Sequence, residues 1–82
     1  MPDEPPPPWS EEETGDPRYA DTRGFFKVEV WTPDDLHVAR MLYAGNRIGK
    51  ARHIFDGAVE VDPRSRFLIR QGIRVVDKWP RD

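Results

Sequence analysis

The spacing of hydrophobic and polar residues changes along the chain and divides it into elements. Residues 25–31 alternate with a period of two, and the hydrophobic positions are Phe26, Val28 and Val30. Lys27 and Glu29 fill the positions between them. This pattern predicts a half-buried strand with the hydrophobic side chains toward the core and Lys27 and Glu29 on the opposite side.

Residues 36–44 fit two structures. As a helix, the segment would have Thr32 as its N-cap and Gly45 as its stop. Such a helix would be hydrophobic on nearly every side, and a domain this small could hardly bury it. As a strand, the segment follows a Pro-Asp-Asp turn and pairs back on residues 25–31. We favour the strand and keep the helix as the alternative.

Residues 46–61 have the clearest helical spacing in the chain. Ile48, Ala51 and Phe55 recur on one side, and Asn46 can cap the start. The helix is expected to end before Pro63, because the residue preceding a proline avoids the helical region.

Two strands, 66–71 and 73–79, flank Gln71-Gly72, which predicts a closing hairpin with a two-residue turn. This turn places Leu68 opposite Val75 and Phe67 opposite Val76. The predicted fold is therefore an α+β domain over residues 23–82, a small ββαββ arrangement with one helix packed on one face of an antiparallel sheet.

Charge separates the first 22 residues from the rest. The formal net charge is −2, but residues 1–22 carry −6 and residues 23–82 carry +4. With four consecutive prolines and few hydrophobic side chains, residues 1–22 are predicted to be a disordered, acidic, Pro-rich tail. A solubilising role is favoured. A ligand for an aromatic-lined groove, or an acidic segment lying on the basic body, are the alternatives.

Composition and motifs reduce the number of functions that the chain is expected to have. The chain has no Cys and no hydrophobic run long enough to span a membrane, and its first residues do not read as a secretory signal, so a cytoplasmic protein is expected. Residues 44–50 read AGNRIGK and match the start of a phosphate-binding loop, but Ala51 lacks the hydroxyl that Mg²⁺ needs. Weak anion binding there is more plausible than nucleotide hydrolysis. We predict no enzyme, catalytic residue, metal site or cofactor.

The last hairpin predicts an interaction surface. One helix covers one face of a sheet, so the other face should expose hydrophobic groups among basic ones. We predict a non-enzymatic protein-interaction module, binding a protein partner or a second copy. The predicted contact residues are Phe67, Ile69, Arg74, Val76, Lys78 and Trp79.

The alternative function is weak binding of single-stranded nucleic acid or RNA. Arginine forks contact phosphates and stack on bases, and an open sheet can serve as a platform for single strands. The residues predicted for this role are Arg47, Lys50, Arg66, Arg70 and Arg74.

The predicted helix contains the motif Ala-Arg-x-x-Phe, in residues 51–55, and the closing hairpin contains the motif Leu-x-Arg-Gln-Gly-x-Arg-Val, in residues 68–75. With the VEVW run that begins at Val28, they resemble small bacterial proteins of unassigned function that combine a hairpin, a helix and a closing hairpin. The resemblance covers roughly residues 25–80. It implies a strand for residues 36–44 but no activity, cofactor or binding residue.

Overall fold

The computed structural model describes residues 12–34 and 36–80. The elements are α1 (Pro17–Arg23), β1 (Phe26–Trp31), β2 (Val38–Gly45), α2 (Ile48–Val61), β3 (Arg66–Gln71) and β4 (Arg74–Trp79). The four strands form one antiparallel sheet in the order β2-β1-β3-β4. The predicted α+β class and ββαββ order are confirmed, and residues 38–45 form a strand. No helix within the described residues has the length and hydrophobicity needed to cross a membrane.

Helix α2 packs on one face of the sheet and forms the main hydrophobic core with it. Phe55 on the helix meets Val28 and Ile69 from the two central strands, and all three side chains are fully buried. The helix ends at Val61 as predicted, but Asn46 does not cap it. Arg47 occupies the N-cap position, and its side chain makes no capping hydrogen bond.

Helix α1 packs on the opposite face, near the β2 edge. Its Ala20 forms a second, smaller core with Phe25 and Ala44, and Tyr19 and Met41 pack against it. The prediction that residues 1–22 are disordered is therefore wrong for residues 12–22. The Pro-rich run and Trp9 lie outside the described residues.

Local signals explain why α1 forms. Asp16 caps the helix by accepting a hydrogen bond from the backbone N–H of Arg18, and Pro17 fits the first helical position. At the other end, Gly24 adopts a left-handed conformation with φ of 68°. The N–H of Phe25 then bonds to the carbonyl of Ala20, which completes a Schellman motif. These signals are present in the sequence, but the prediction of a disordered tail was based on the acidic, Pro-rich composition.

The closing hairpin forms with a different register from the predicted one. Gln71 pairs with Arg74, so the turn is Gly72-Ile73 rather than Gln71-Gly72. A bulge then shifts the pairing, and Phe67 lies opposite Trp79 instead of Val76. Positive φ at Gly72 supports the shifted turn as well as it would have supported the predicted one.

The pairing of β3 with β1 reverses the predicted assignment of faces, because Phe67 lies opposite Val30 and Ile69 lies opposite Val28. Phe67 and Ile69 are 3% and 0% exposed, because they point toward α2 and form part of the core. Val76 and Trp79 also pack against this core. The prediction that Phe67, Ile69 and Val76 lie on an uncovered face is wrong, and Trp79, which was expected at the edge of that face, packs on the core side. The less hydrophobic face, which includes Leu68 and Arg70, is the one that α2 leaves uncovered.

Candidate functional site

Three rows of side chains cross the sheet on the face opposite α2. The strand pairings align Ala44, Lys27, Arg70 and Val75 in one row. They align Met41, Glu29, Leu68 and Lys78 in the next, and Val38, Trp31 and Arg66 in the third. Because directly paired residues point to the same side, these residues share one surface.

A charge network lies near the centre of this face. Glu29 and Lys27 are each only 2% exposed, although the alternating pattern had placed them on the polar side of β1. Arg70 donates from Nε and Nη2 to the two carboxylate oxygens of Glu29, at 2.6 and 2.8 Å. Lys27 Nζ lies 2.7 Å from the carboxylate of Asp21 on α1 and 3.6 Å from that of Glu29. Opposite charges compensate one another where water has been excluded.

The aromatic side chain of Trp31 completes the network. Its indole N–H donates to Glu29 at 3.1 Å, and the Arg70 guanidinium lies 5.8 Å from the centre of its ring. Glu29 therefore accepts hydrogen bonds from two side chains, Arg70 and Trp31, and lies beside a second cation, Lys27. This arrangement fixes the orientation of Trp31 at the boundary between the covered and uncovered parts of the face.

The network has a defined effect on the protonation of Glu29. Burial raises the pKa of Glu29, but the hydrogen bonds from Arg70 and Trp31, together with the charges of Arg70 and Lys27, outweigh burial and lower it below its ordinary value. The hydrogen bond to Glu29 also raises the pKa of Arg70. Both directions favour the charged pair. A carboxylate held in this way is a poor proton carrier and serves to organise the face.

Helix α1 covers this face only near β1 and β2. The part beyond it, which we call the open face, presents hydrophobic side chains among basic ones. Val75 and Val38 are 50% and 41% exposed, while Leu68 and Trp31 are half-buried. The open face consists of Trp31, Val38, Arg66, Leu68, Val75 and Lys78. On the three rows of described residues the only carboxylate is that of the buried Glu29, whereas Arg66 and Lys78 each bring a cation that already has an interaction within the chain.

Of the residues predicted to contact a partner, Lys78 lies on the open face. Phe67, Ile69, Val76 and Trp79 lie on the core side, as described above. Arg74 is exposed, and its pairing with Gln71 puts it on the α2 side of the sheet near the turn.

The five residues predicted for nucleic-acid binding fall into separate places. Arg66 and Arg70 lie on the face opposite α2, whereas Arg74 lies on the α2 side near the turn. Arg47 and Lys50 stand at the start of α2. The structure does not bring the five together on one surface.

Arg47 and Lys50 are paired with acids from the segment that precedes α1. Arg47 Nη2 lies 2.9 Å from Glu12, and Lys50 forms an ion pair with Glu13. The interpretation in which acidic residues of the tail lie on the basic body therefore holds for these two residues of the N-terminal segment.

A second concave surface lies on the α2 side. It is a shallow groove of about 600 Å³ between the C-terminal half of α2 and the sheet. The groove is lined by Val30, Arg40, Leu42, Gly57, Ala58, Val61, Asp62, Ser65 and Phe67. Most of these side chains are hydrophobic, and nothing about the groove indicates a particular ligand.

The charge network and the open face depend on contacts between residues far apart in sequence. Glu29 and Arg70 are 41 positions apart. The sequence does contain one signal for their pairing: two charged residues in an otherwise hydrophobic strand and an arginine in another strand. Comparisons with protein families, curated proteins and solved structures give no match for this chain.

Proposed function

We propose that the protein is a non-enzymatic interaction module whose open face binds an acidic protein partner. The observation that supports this proposal is the combination of half-exposed Val38 and Val75 with Arg66 and Lys78 on the side of the sheet that α1 leaves uncovered. Hydrophobic groups at the centre of a contact exclude water, and charges around them select the partner and its orientation.

The charge of the face determines the chemistry of the partner. Arg66 and Lys78 place two cations at the rim of the open face, and a partner's carboxylates would compete for them with the interactions they already make within the chain. A complementary surface would carry carboxylates around aliphatic side chains. A second copy would bring the same cations against one another if the two open faces met, and this favours a different, acidic partner.

Nucleic acid is a less suitable occupant than protein. Aromatic rings that stack on bases are central to single-strand platforms, and Trp31 is the only aromatic residue on the three rows. Aliphatic Val38, Leu68 and Val75 fill the remaining space. A chain without Cys is compatible with a reducing compartment, and we place the module in the cytoplasm.

The proposal can be tested by NMR titration of the full chain with a synthetic peptide that alternates Glu and Leu. We expect chemical-shift changes at the Trp31 indole and at Leu68 and Val75. The double variant R66Q/K78Q should bind roughly tenfold more weakly, which corresponds to about 1.4 kcal/mol. A matched control is R18Q/R64Q, which removes two exposed arginines outside the open face and should bind like the unmodified chain.

Three further measurements distinguish an acidic protein partner from a nucleic acid and from a second copy of the chain. A peptide of the same pattern with Lys in place of Glu should not bind. Tighter binding of a single-stranded oligonucleotide at the same residues would replace the protein partner with nucleic acid, and a dimer in sedimentation equilibrium that R66Q/K78Q dissociates would replace it with a second copy. Equal affinity of R66Q/K78Q and R18Q/R64Q for the acidic peptide would refute the proposal.

A further inference from the structure

The start of α2 combines several features that favour an anion. The AGNRIGK segment leaves β2 at Gly45 and enters α2 at Ile48, so it does join a strand to a helix. The first turn of α2 contains no acidic residue, and the N-cap side chain makes no capping hydrogen bond. The backbone N–H groups there carry partial positive charge, and Arg47 and Lys50 add two full charges.

An independent feature is the hydroxyl of Tyr43. Tyr43 is only 7% exposed, and its hydroxyl has no hydrogen-bond partner among the described residues. The Lys50 ammonium lies 5.5 Å from the centre of the Tyr43 ring. Burial raises the pKa of Tyr43 and the nearby backbone N–H of Arg47 only partly offsets this, so the hydroxyl keeps its proton and still needs an acceptor for it. A buried donor without an acceptor is unfavourable, and a suitable ligand would supply that acceptor.

Gly45 makes room for this hydroxyl. A Cβ atom at Gly45 would lie 2.2 Å from the Tyr43 oxygen and 2.5 Å from the carbonyl oxygen of Glu12. The hydroxyl and the Glu12 backbone therefore meet over Gly45. A ligand that displaces the backbone of Glu12 would therefore open a space beside the Tyr43 hydroxyl, which is a donor without an acceptor.

The segment that covers this space consists of residues 12–14, which we call the strap. Two backbone hydrogen bonds of 2.9 Å hold it: Thr14 N–H donates to Ala44, and Asn46 N–H donates to the Glu12 carbonyl. Its acidic side chains are paired with Arg47 and Lys50, and all four side chains in these pairs are about half exposed. Exposed ion pairs contribute little to stability, so a competing anion of higher charge can displace them.

We propose that the start of α2 binds a phosphate group, which displaces the strap carboxylates from Arg47 and Lys50 and accepts a hydrogen bond from Tyr43. In the unliganded chain, Glu12 and Glu13 take the place of the anion. The ligand class is inorganic phosphate or a small phosphate monoester. The site is separate from the open face, so either proposal can fail without affecting the other.

The first experiment compares phosphate affinity in full-length variants at low ionic strength. The variant E12Q/E13Q removes the competing carboxylates, and the amide signals of residues 48–50 report binding. We expect its Kd for inorganic phosphate to be at least tenfold lower than that of the unmodified chain. The matched control D56N/E60Q makes the same change in net charge at exposed positions farther along α2, and its Kd should stay within twofold.

The second experiment tests the hydroxyl. Y43F, introduced into E12Q/E13Q, should weaken phosphate binding at least fivefold without lowering the thermal stability of the free protein. A merely structural Tyr43 would leave the affinity unchanged. In the unmodified chain, phosphate should also accelerate hydrogen exchange at the amide of Thr14, because the strap is released.

Inorganic phosphate and glycerol phosphate, titrated separately, distinguish the two forms of the ligand. Tighter binding of the ester would identify a monoester site, and tighter binding of the free ion would identify a phosphate site. The proposal would be overturned if E12Q/E13Q bound phosphate no better than D56N/E60Q, or if Y43F left the affinity of E12Q/E13Q unchanged.

Discussion

The two faces of the sheet are held by different forces. On the α2 side, Phe55, Val28 and Ile69 are buried by hydrophobic packing. On the α1 side, the central residues are Lys27 and Glu29, and opposite charges satisfy them. Hydrophobic packing is non-directional and covers the whole width beneath α2, whereas ion pairs satisfy only the groups they join.

This difference explains where the open face lies. Helix α1 has seven residues and supplies one fully buried side chain, Ala20, so it can cover only part of the sheet. Because Glu29 is paired with Arg70, the centre of this face is buried beyond the edge of α1 although no large hydrophobic core lies there. Leu68 and Val75, farther from α1, are left beside basic residues and available to a partner.

The largest expected effect tests the α2 side. Phe55→Ala removes a fully buried ring and should lower the free energy of unfolding by about 3–5 kcal/mol. Native proteins have only about 5–15 kcal/mol of stability, so this loss is a large part of the total. Urea denaturation followed by circular dichroism measures the change. The matched control Ile73→Ala, at a position 98% exposed, should change stability by less than about 0.5 kcal/mol.

The next effect tests the α1 side. Glu29→Gln keeps the shape of the side chain but leaves Arg70 and Lys27 without their shared partner. We expect a loss of about 3 kcal/mol, at the lower end for a broken buried pair, because Arg70 keeps some access to water. The control Glu60→Gln, at an exposed position on α2, should lose less than about 0.5 kcal/mol.

A double variant distinguishes the ion pair from simple burial. In E29Q/R70Q the two amides can bond to each other, so the total loss should be smaller than the sum of the single losses by at least about 1 kcal/mol. Additive losses would mean that Glu29 and Arg70 do not act as a pair, and the contrast between the two faces would then disappear.

The pH dependence of stability sharpens the same contrast. Because the pKa of Glu29 is lowered in the folded state, its ionised form contributes stability above the ordinary value of 4.5. That contribution should be lost as the pH falls below 4.5 and through the folded-state pKa. Urea denaturation between pH 6 and pH 3 should therefore show a steeper loss for the unmodified chain than for Glu29→Gln. Parallel curves would contradict the lowered pKa.

The sequence predicted the four strands and α2 in their order along the chain, because β1 and α2 have clear local periodicity and Gly72 marks the closing turn. It did not predict which face lies under α2. In β3, Phe67, Leu68 and Ile69 are consecutive and hydrophobic, so period two alone does not choose between the faces. The choice for β3 depends on its pairing with β1, which puts Ile69 opposite Val28 on the core side. In β4, a bulge that the residue pattern does not indicate adds a separate shift of register.

The site was harder to predict than the fold. The rule that charged residues face solvent placed Lys27 and Glu29 on the outside. Their burial depends on Arg70 and on Asp21 in a helix that composition had assigned to a disordered tail. The prediction of a mixed hydrophobic and basic face came from the argument that a single helix covers only one of the two faces of the sheet. The structure retains such a face, but in β3 and β4 it consists, apart from Lys78, of residues that alternate with the predicted ones.

The smallest effect tests how firmly α1 is attached. Gly24 ends α1 in a left-handed conformation that an L side chain adopts with strain, so Gly24→Ala should lower stability by about 1 kcal/mol. The matched change Gly49→Ala, in the first turn of α2, has no atom within 4 Å of the added methyl group. It should raise stability by about 0.5–1 kcal/mol, because alanine favours the helix.

Hydrogen exchange in Gly24→Ala compares how readily the two sides of the sheet open. Hydrogen exchange at the amide of Phe25, which bonds to Ala20 at the end of α1, should accelerate in Gly24→Ala. Amides in the α2 core should change no more than the overall loss of stability requires. Equal acceleration on both sides would mean that α1 unfolds only together with the whole domain. The α1 side would then be held as firmly as the α2 side, despite its smaller core.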